Sequence, residues 1–355
     1  MYGQTHLGKM RLRKSYSFDD VMLVPRLSSL NTRAEADLST SVAGVELKIP
    51  IIAANMSSVC EDKMALALFR LGGLGIIHRM CSVDEQAKMV FAAAMPPQSK
   101  GPAQLVGFSI GIGPDWRDRM DACRPAAQIA CLDVAHGHHK RVMDLLEKYF
   151  GIYKNFPIII GQVSTPSAVR DILRVVPEKY HDSIAFKTSI GGGSLCTTRI
   201  KTGFGVPTLQ AIMDIQAEFP NVSLIADGGI KESGDIVKSL AAGANAVMLG
   251  NLLAGTDESP GVIIKGGDNV LYKVYRGSAS FGDKALRGED TRNIEGEETL
   301  VTYKGSVVRV VDGLLDGIRS GFSYGGAANI AELQDGIEFQ EITIHGYKES
   351  LPHGK

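Results

Sequence analysis

The sequence predicts an α/β protein folded as a single (β/α)8 barrel of the TIM-barrel type with a C-terminal flap. Eight short apolar runs of strand length recur along the 355 residues. They are continuous and not alternating, as expected for parallel strands that are buried on both faces. Segments with helical spacing lie between them, and eight alternating units favour a closed barrel. A doubly wound parallel sheet is the lesser alternative.

The predicted strands and helices alternate up to about residue 250. The strands are Ile51–Ala54, Leu74–Ile77, Leu105–Ile110, Ile129–Val134, Pro157–Ile160, Ile184–Phe186, Leu224–Ala226 and Ala246–Leu249. The clearest helical segments are Lys63–Leu71, His139–Tyr149, Ser167–Val176, Pro207–Glu218 and Gly234–Ala242. Polar and glycine residues follow the strands, at the end where barrel enzymes hold their substrates.

The domain organisation follows from the spacing of these elements. The stretch from Arg79 to Leu105 is too short to contain an inserted domain, so we expect residues 1–355 to form one domain without an inserted regulatory unit. Residues 266–305 are rich in glycine and charge. We expect a hairpin there, followed by a mobile flap.

Charge and hydropathy exclude several classes of partner. The chain has 38 basic and 39 acidic side chains and no Lys/Arg block, which argues against nucleic acid as a partner. The N-terminal twenty residues lack the apolar core of a signal peptide, and no stretch reaches the ~18 apolar residues of a membrane span. We therefore expect a cytoplasmic protein with no membrane partner.

One of the five cysteines stands in unusual surroundings. The odd count and the absence of a CxxC pair argue against disulfides and structural zinc. Cys196, however, lies in the loop SIGGGSLCTTR at Ser189–Arg199, where three consecutive glycines let the backbone approach a ligand. Thr197, Thr198 and Arg199 beside it suit a thiolate nucleophile of lowered pKa. A merely accessible thiol is the alternative.

Two further loops suit a phosphate group. Asp227, Gly228 and Gly229 end the seventh predicted strand, and Gly250 and Asn251 end the eighth. Such loops commonly bind phosphate through backbone amides, with a helix N-terminus that we expect near Ser233. An aspartate beside them suits ribose hydroxyls. A plain strand-to-helix turn is equally consistent with DGG.

The remaining candidates are a histidine-rich loop and a glutamate. Asp133–His139 reads DVAHGHH, and its three imidazoles lack the i, i+4 spacing of a helical zinc motif. A solvated loop or a cofactor contact is the favoured interpretation. Glu295 in RNIEG, Arg292–Gly296, is a candidate acid or base, although a glutamate in a charged stretch is ordinarily just solvated.

With these residues the sequence resembles the IMP dehydrogenase and GMP reductase family over nearly its whole length. The matching segments are SFDDVMLVP at Ser17–Pro25, PIIAANM at Pro50–Met56, IIHR at Ile76–Arg79, GGGSLCTTR followed by KTGFGVP, and then IADGGI, SGDI, VMLGNLLAG and YRGSAS. The resemblance implies a (β/α)8 barrel, usually a homotetramer.

Several features are similar to the reductase branch, in particular to a bacterial subgroup. Dehydrogenases of the family typically have a regulatory insertion and an Arg-Tyr pair in the flap that activates water. This chain has no such insertion and no Arg-Tyr dipeptide. Its flap has the RxxEG pattern of reductases, and Asn55, DVAHGH, KTGFG and GSAS at Gly277–Ser280 are also reductase-like. The resemblance thus implies NADPH-dependent reductive deamination of GMP to IMP and ammonia.

The resemblance also implies roles for individual residues. Cys196 would form a covalent thioimidate with the purine, and Thr198 and Glu295 would relay protons. Substrate contacts would come from Met56, Ser194, Asp227, Gly228, Gly229, Gly250, Asn251, Gly277 and Ser278. NADPH would contact Arg79, Asp133, Ala135, His136, Gly137 and Arg292. The carbonyls of Gly191, Gly193 and Cys196 would bind K⁺.

Some positions depart from the family pattern, and other functions stay open. Ser189 and Gly192 replace a glycine and a proline of the loop, Gln162 replaces an asparagine, and Ser57 follows Met56. A related purine nucleotide as substrate fits these departures. The alternatives are an IMP dehydrogenase lacking its insertion, a flavin-dependent barrel oxidoreductase and a nucleotide-sensing barrel without turnover.

Overall fold

The eight predicted strands form one closed parallel barrel. A computed structural model describes residues 6–7, 10–96, 103–277, 280 and 294–352. The barrel strands are Ile51–Ala53, Leu74–Ile77, Gly107–Ile110, Ile129–Asp133, Ile158–Gly161, Ile184–Thr188, Ser223–Asp227 and Ala246–Leu249. Each pairs with the next, and Val247 of the eighth pairs with Ile51 of the first. This closure confirms the barrel and excludes the doubly wound sheet, whose edge strands stay unpaired.

A helix follows each barrel strand. In chain order these helices are Asp62–Leu71, Val83–Ala94, Trp116–Cys123, Lys140–Tyr153, Pro166–Val175, Thr208–Glu218, Ser233–Ala241 and Val307–Gly325. The five helices predicted from spacing are confirmed. The second, third and eighth were not predicted; polar side chains interrupt the buried faces of the second and third, where Arg119 donates to Gln86 over 2.8 Å. Within the described ranges, no helix combines the length and apolarity needed to cross a bilayer.

Shorter elements surround the barrel. The hairpin Thr40–Val42 and Val45–Leu47 places Val42 and Leu47 in the same buried cluster as the inward side chains of the barrel. Other short elements are the strand pairs His6–Leu7 with Met10–Arg11 and Val21–Leu23 with Phe339–Glu341, the α-helices Thr198–Thr202, Ile330–Gln334 and Ile344–Glu349, and the 3-10 turns Phe18–Asp20, Arg33–Glu35 and Glu178–Ser183.

The inside of the barrel is apolar at its base and charged at the carboxyl end of the strands. Alternate strand residues face inward and form one buried cluster, which includes Ile52, Leu74, Ile76, Ile129, Cys131, Ile159, Ala185, Ile225, Ala246 and Met248. The same alternation directs Asp133, Lys187 and Asp227 inward, two residues beyond Cys131, Ala185 and Ile225. These three polar residues therefore form the floor of the carboxyl-end opening.

The segment after the eighth strand contains the expected hairpin and one further strand. Strands Ile264–Lys265, Leu271–Arg276 and Glu298–Thr302 form a three-stranded antiparallel sheet. The first two strands are the expected hairpin, and the flap leads from the second strand to the third, with Arg276 paired to Glu298. Strand pairing thus holds both ends of the flap side by side. Residues 278–279 and 281–293, including Ser278 and Arg292, lie outside the described residues.

The contact between the first helix and the second strand gives a test of the fold. A Cβ on Gly75 would lie 2.4 Å from the Cα of Ala65, so Gly75→Ala forces this helix away from the barrel. We expect a loss of about 1–3 kcal/mol, the usual cost of overpacking a core. Gly151→Ala, in a helix where nothing lies within 4 Å of the added methyl group, is the control and should be neutral or stabilising. Equal urea midpoints for the two variants would contradict the packing.

Candidate active site

A cavity of about 540 Å³ opens at the carboxyl ends of the barrel strands. Its volume is in the range that holds small organic ligands. Every predicted substrate or cation residue in the described part of the chain lines it: Met56, Gly191, Gly193, Ser194, Cys196, Asp227, Gly228, Gly229, Gly250, Asn251 and Gly277. The structure therefore brings together residues from five different loops.

Cys196, Thr198 and Glu295 form a continuous chain of hydrogen bonds in this cavity. The Cys196 thiol donates to Oγ1 of Thr198 over 3.1 Å, and the Thr198 hydroxyl donates to Oε2 of Glu295 over 2.6 Å. A short O–H···O distance is typical of a bond to a carboxylate. A proton has a direct route from the sulfur to the glutamate through one hydroxyl.

Backbone pairing explains why Glu295 lies beside residues almost one hundred positions earlier. The Thr197 amide donates to the Glu295 carbonyl over 3.0 Å, and the Glu297 amide donates to the Leu195 carbonyl over 3.0 Å. Cys196 and Gly296 form the antiparallel bridge between these two bonds. The returning end of the flap is therefore held in register against the cysteine loop.

The cysteine loop is also braced from within. The Gly192 amide donates to Oγ of Ser189 over 3.1 Å. Arg199 donates from Nε to the Ile190 carbonyl over 2.9 Å and from Nη2 to the Val206 carbonyl over 2.8 Å. Burial lowers the pKa of Arg199, and the nearby Cys196 opposes that shift. The sequence predicted Arg199 as a cation beside the thiol. In the structure, its guanidinium donates these hydrogen bonds to backbone carbonyls.

The two glycine loops predicted to hold phosphate pack closely against the rest of the site. A Cβ on Gly228, whose φ is +91°, would lie 2.8 Å from the Gly193 amide nitrogen, so both conformation and space require glycine there. The helix beginning at Ser233 does not line the cavity, whose lining on this loop ends at Lys231. The turn after the eighth strand lies nearer to the cavity. In this turn the Leu253 and Ala254 amides donate to the Gly250 carbonyl.

Tyr275 is a cavity residue that the sequence prediction missed. Its hydroxyl lies 3.4 Å from Oγ of Ser194, and a Cβ on Gly250 would approach it to 2.9 Å. Burial raises the pKa of Tyr275, so the phenol keeps its proton and can donate to an anion. Its only signal in the sequence is its place before Arg276 and Gly277 in YRGSAS.

The floor of the cavity is a charged cluster in which Asp133 and Asp227 were predicted as site residues and Lys187 was missed. Nζ of Lys187 lies 2.7 Å from Oδ1 of Asp133 and 2.9 Å from Oδ2 of Asp227. Nε2 of Gln162 donates to the same Oδ2 of Asp227 over 2.5 Å. A lysine near the end of an apolar strand was the available signal, because such a residue needs buried acidic partners.

Only part of the predicted cofactor set faces the cavity. Arg79, Asp133 and Ala135 line it, whereas His136 and Gly137 do not. The Gly137 amide donates to the Gln162 carbonyl over 2.7 Å, and His136 lies exposed on this turn. Burial of part of its ring nevertheless lowers the pKa of His136. In the part of the chain that the structure describes, no three His, Cys, Asp or Glu side chains are arranged to hold a metal ion.

Sequence comparison places the chain in a family. The profile described as IMP dehydrogenase / GMP reductase domain matches residues 15–353. The chain belongs to this family. Its members are oxidoreductases, and the resemblance inferred from the motifs is confirmed.

This chain is similar to relatives named as IMP dehydrogenases and to others named as GMP reductases. An IMP dehydrogenase from Cryptosporidium parvum is 35% identical, with 98% of this chain and 97% of the relative covered. A GMP reductase from Leishmania major is 29% identical, with 96% and 97% covered. A solved structure of a cysteine-to-alanine variant of GMP reductase from Trypanosoma brucei, in complex with guanosine 5'-monophosphate, has a TM-score of 0.89 at 27% identity and covers 97% of this chain and 98% of that one.

The lengths of the relatives show whether a missing insertion indicates one of the two activities. The alignment with the Leishmania major GMP reductase runs over 486 positions, against 399 for the Cryptosporidium parvum IMP dehydrogenase. The Leishmania major reductase therefore contains more sequence that this 355-residue chain lacks than the Cryptosporidium parvum dehydrogenase does. Lack of an insertion therefore does not distinguish the two activities.

Thiol reactivity tests the special position of Cys196. Burial raises the pKa of Cys81 to about 11 and those of Cys123 and Cys131 to about 12, and it raises that of Cys60 as well. These four are neutral thiols at pH 8, whereas Cys196 lines the open cavity. We expect iodoacetamide to label Cys196 first at pH 8, and Cys81 only as the pH approaches 11, as measured by peptide mass spectrometry.

Cys196→Ser is the control for this labelling and should remove the early adduct. Preferential labelling of Cys123 or Cys131 at pH 8 would contradict the burial described here.

Proposed function

We propose that this chain is a GMP reductase that uses NADPH to convert GMP into IMP and ammonia. The observation that carries the proposal is the hydrogen-bond chain from Cys196 through Thr198 to Glu295. It connects the proposed nucleophile, Cys196, to the carboxylate of Glu295, which can accept a proton and return it. The sequence has no Arg-Tyr dipeptide that would provide the family's water-activating pair.

The relay accounts for the proton balance of deamination. Sulfur of Cys196 attacks C2 of the purine, and the thiol proton passes through Thr198 to Glu295. Glu295 then returns this proton through Thr198 to the amine, so that the C2–N bond breaks and ammonia leaves. The product is a thioimidate with a new C2–S bond. General acid–base assistance of this kind typically contributes about 10²- to 10⁴-fold.

The second step releases the nucleotide. NADPH, when bound, supplies a hydride to C2. The C2–S bond then breaks, IMP is released, and the Cys196 thiolate takes up a proton. Arg79, Asp133 and Ala135 are the cavity residues proposed to hold the cofactor. The fit is supported by the buried Nε of Arg79, which has no hydrogen-bond partner among the described residues and can donate to a ligand.

The nucleotide and a cation have separate proposed positions. Asp227 would accept from the ribose, while Tyr275, Ser194 and the loops at 228–229 and 250–251 would hold the phosphate. Carbonyls of Gly191, Gly193 and Cys196 suit K⁺ because oxygen donors match a hard cation. The Gly193 carbonyl accepts one bond, from the Cys196 amide over 3.0 Å, and keeps a second lone pair.

We also propose that residues 1–355 form one domain and that four copies assemble in the cytoplasm. These proposals follow from the element spacing and the family resemblance.

IMP dehydrogenase activity is the second candidate, because the relative with that name is 35% identical. One assay separates the two. With GMP and NADPH, we expect loss of absorbance at the nicotinamide band and formation of IMP and ammonia, because Glu295 can protonate the amine. NADH formation from IMP and NAD⁺ without NADPH use by GMP would establish the dehydrogenase instead. Binding without turnover in either direction would identify a nucleotide sensor.

Glu295→Gln separates the two chemical steps. The amide cannot store the proton, so ammonia release should slow by about 10²- to 10⁴-fold. Hydride transfer in reverse, from IMP to NADP⁺, expels no amine and should be less affected. Intact-protein mass spectrometry of Glu295→Gln with IMP and NADP⁺ should therefore detect a purine nucleotide adduct on Cys196.

Cys196→Ala is the matched control for this experiment. It should form no adduct and lose turnover while keeping GMP binding, because ribose and phosphate contact other loops. An adduct on another cysteine, or substantial turnover by Cys196→Ala, would refute the mechanism.

A further inference from the structure

The strongest observation outside the relay is the buried lysine on the cavity floor. Lys187 is 2% exposed, at the carboxyl end of the sixth barrel strand. Burial by itself lowers the pKa of Lys187, but the two carboxylates outweigh burial and raise it, so the side chain is an ammonium ion. Its ion pairs join the sixth strand to the fourth and seventh strands.

The backbone of the fifth strand makes room for this side chain. A Cβ on Gly161 would lie 2.7 Å from Cβ and 2.9 Å from Cε of Lys187. The position of the ammonium is thus set by packing as well as by charge.

The two neighbouring carboxylates face different parts of the cavity. Asp227 precedes the glycine pair proposed to hold the nucleotide, while Asp133 lies beside Arg79 on the proposed cofactor side. Lys187 and Gln162 both donate to Oδ2 of Asp227. Among the described residues no donor reaches its Oδ1, which stays available to a hydroxyl of the ligand.

Few other charges in the described part of the chain act on this cluster. Burial raises the pKa of Cys131, beneath the ammonium, to about 12, so that thiol is neutral. Burial would raise the pKa of Asp133, but Lys187 first and Arg79 second outweigh it, so the net shift is downward. Within the described residues, the titratable and charged groups around the ammonium are therefore Asp133, Asp227, Cys131 and Arg79.

We propose that Lys187 is a positioning residue that keeps the neighbouring carboxylates of Asp133 and Asp227 ionised together, so that Asp227 can accept hydrogen bonds from the nucleotide throughout the neutral pH range. Without the ammonium, two like charges share a buried site, and the pair takes up a proton at higher pH. The part of this inference that concerns the nucleotide rests on the proposed function.

The first test uses the full chain without nucleotide. In the wild type, Asp133 has a depressed pKa, so its contribution to stability is constant between pH 5 and 8 and is lost only in stronger acid. In Lys187→Met the pair binds its proton more tightly in the folded state, so stability is gained as the pH falls. The deficit in melting temperature relative to wild type should therefore be larger at pH 8 than at pH 5.

Matched variants separate charge from packing. Lys187→Met/Asp133→Asn removes the like charge, and its deficit should not vary with pH. Lys140→Met breaks an exposed ion pair with Asp144 and should change little at any pH. If Lys187→Met does not fold, the double variant should still fold. Failure of both variants, or an equal deficit at pH 5 and pH 8, would overturn the inference.

The second test is calorimetric titration with GMP. The ratio of Kd for Lys187→Met to Kd for wild type should rise as the pH falls from 8 to 6, by up to about tenfold per pH unit for one coupled proton. Lys187→Arg, which keeps the charge, should show a flat ratio. A flat ratio for Lys187→Met would overturn the inference. Absence of GMP binding by the wild type would refute the proposed function alone, and the melting comparison would still decide the role of Lys187.

Discussion

One buried ammonium group organises the carboxyl end of this barrel. Lys187 bonds to Asp133 and Asp227, so the fourth, sixth and seventh strands are joined at the level where the apolar interior ends. An isolated charge at this depth would be very unfavourable, and the cluster persists because each charge has a partner at hydrogen-bond distance. The loops above it start from these strands, so the geometry of the cavity depends on this contact.

The end of the cavity that contains Cys196 depends on a different kind of constraint. The cysteine loop and the returning end of the flap are joined by backbone hydrogen bonds around Cys196 and Gly296. This pairing sets the distance between Thr198 and Glu295, and the side chains then complete the relay. The returning end of the flap is also held on its other side, since the Gly277 amide donates to the Glu297 carbonyl over 2.9 Å.

Glycine positions and large side chains complement one another in this site. Gly228 packs on the cysteine loop, Gly161 on Lys187 and Gly250 on Tyr275. Each contact lets a functional side chain or loop come closer than a Cβ would permit. These three close approaches explain why glycine occupies positions 161, 228 and 250.

The sequence by itself determined the barrel, most helices, the family and the choice of the cysteine loop as a candidate site. Strand and helix periods are local properties, and the motif around Cys196 is contiguous, so both can be read from neighbouring residues. The tertiary structure alone decided that Glu295 meets Thr198, that Tyr275 faces Ser194, that His136 and Gly137 lie outside the cavity, and that Lys187 joins two distant aspartates. These contacts depend on strand register and barrel closure, which bring together side chains that are far apart in the chain. The pattern of neighbouring residues carries no information about which distant residues will meet.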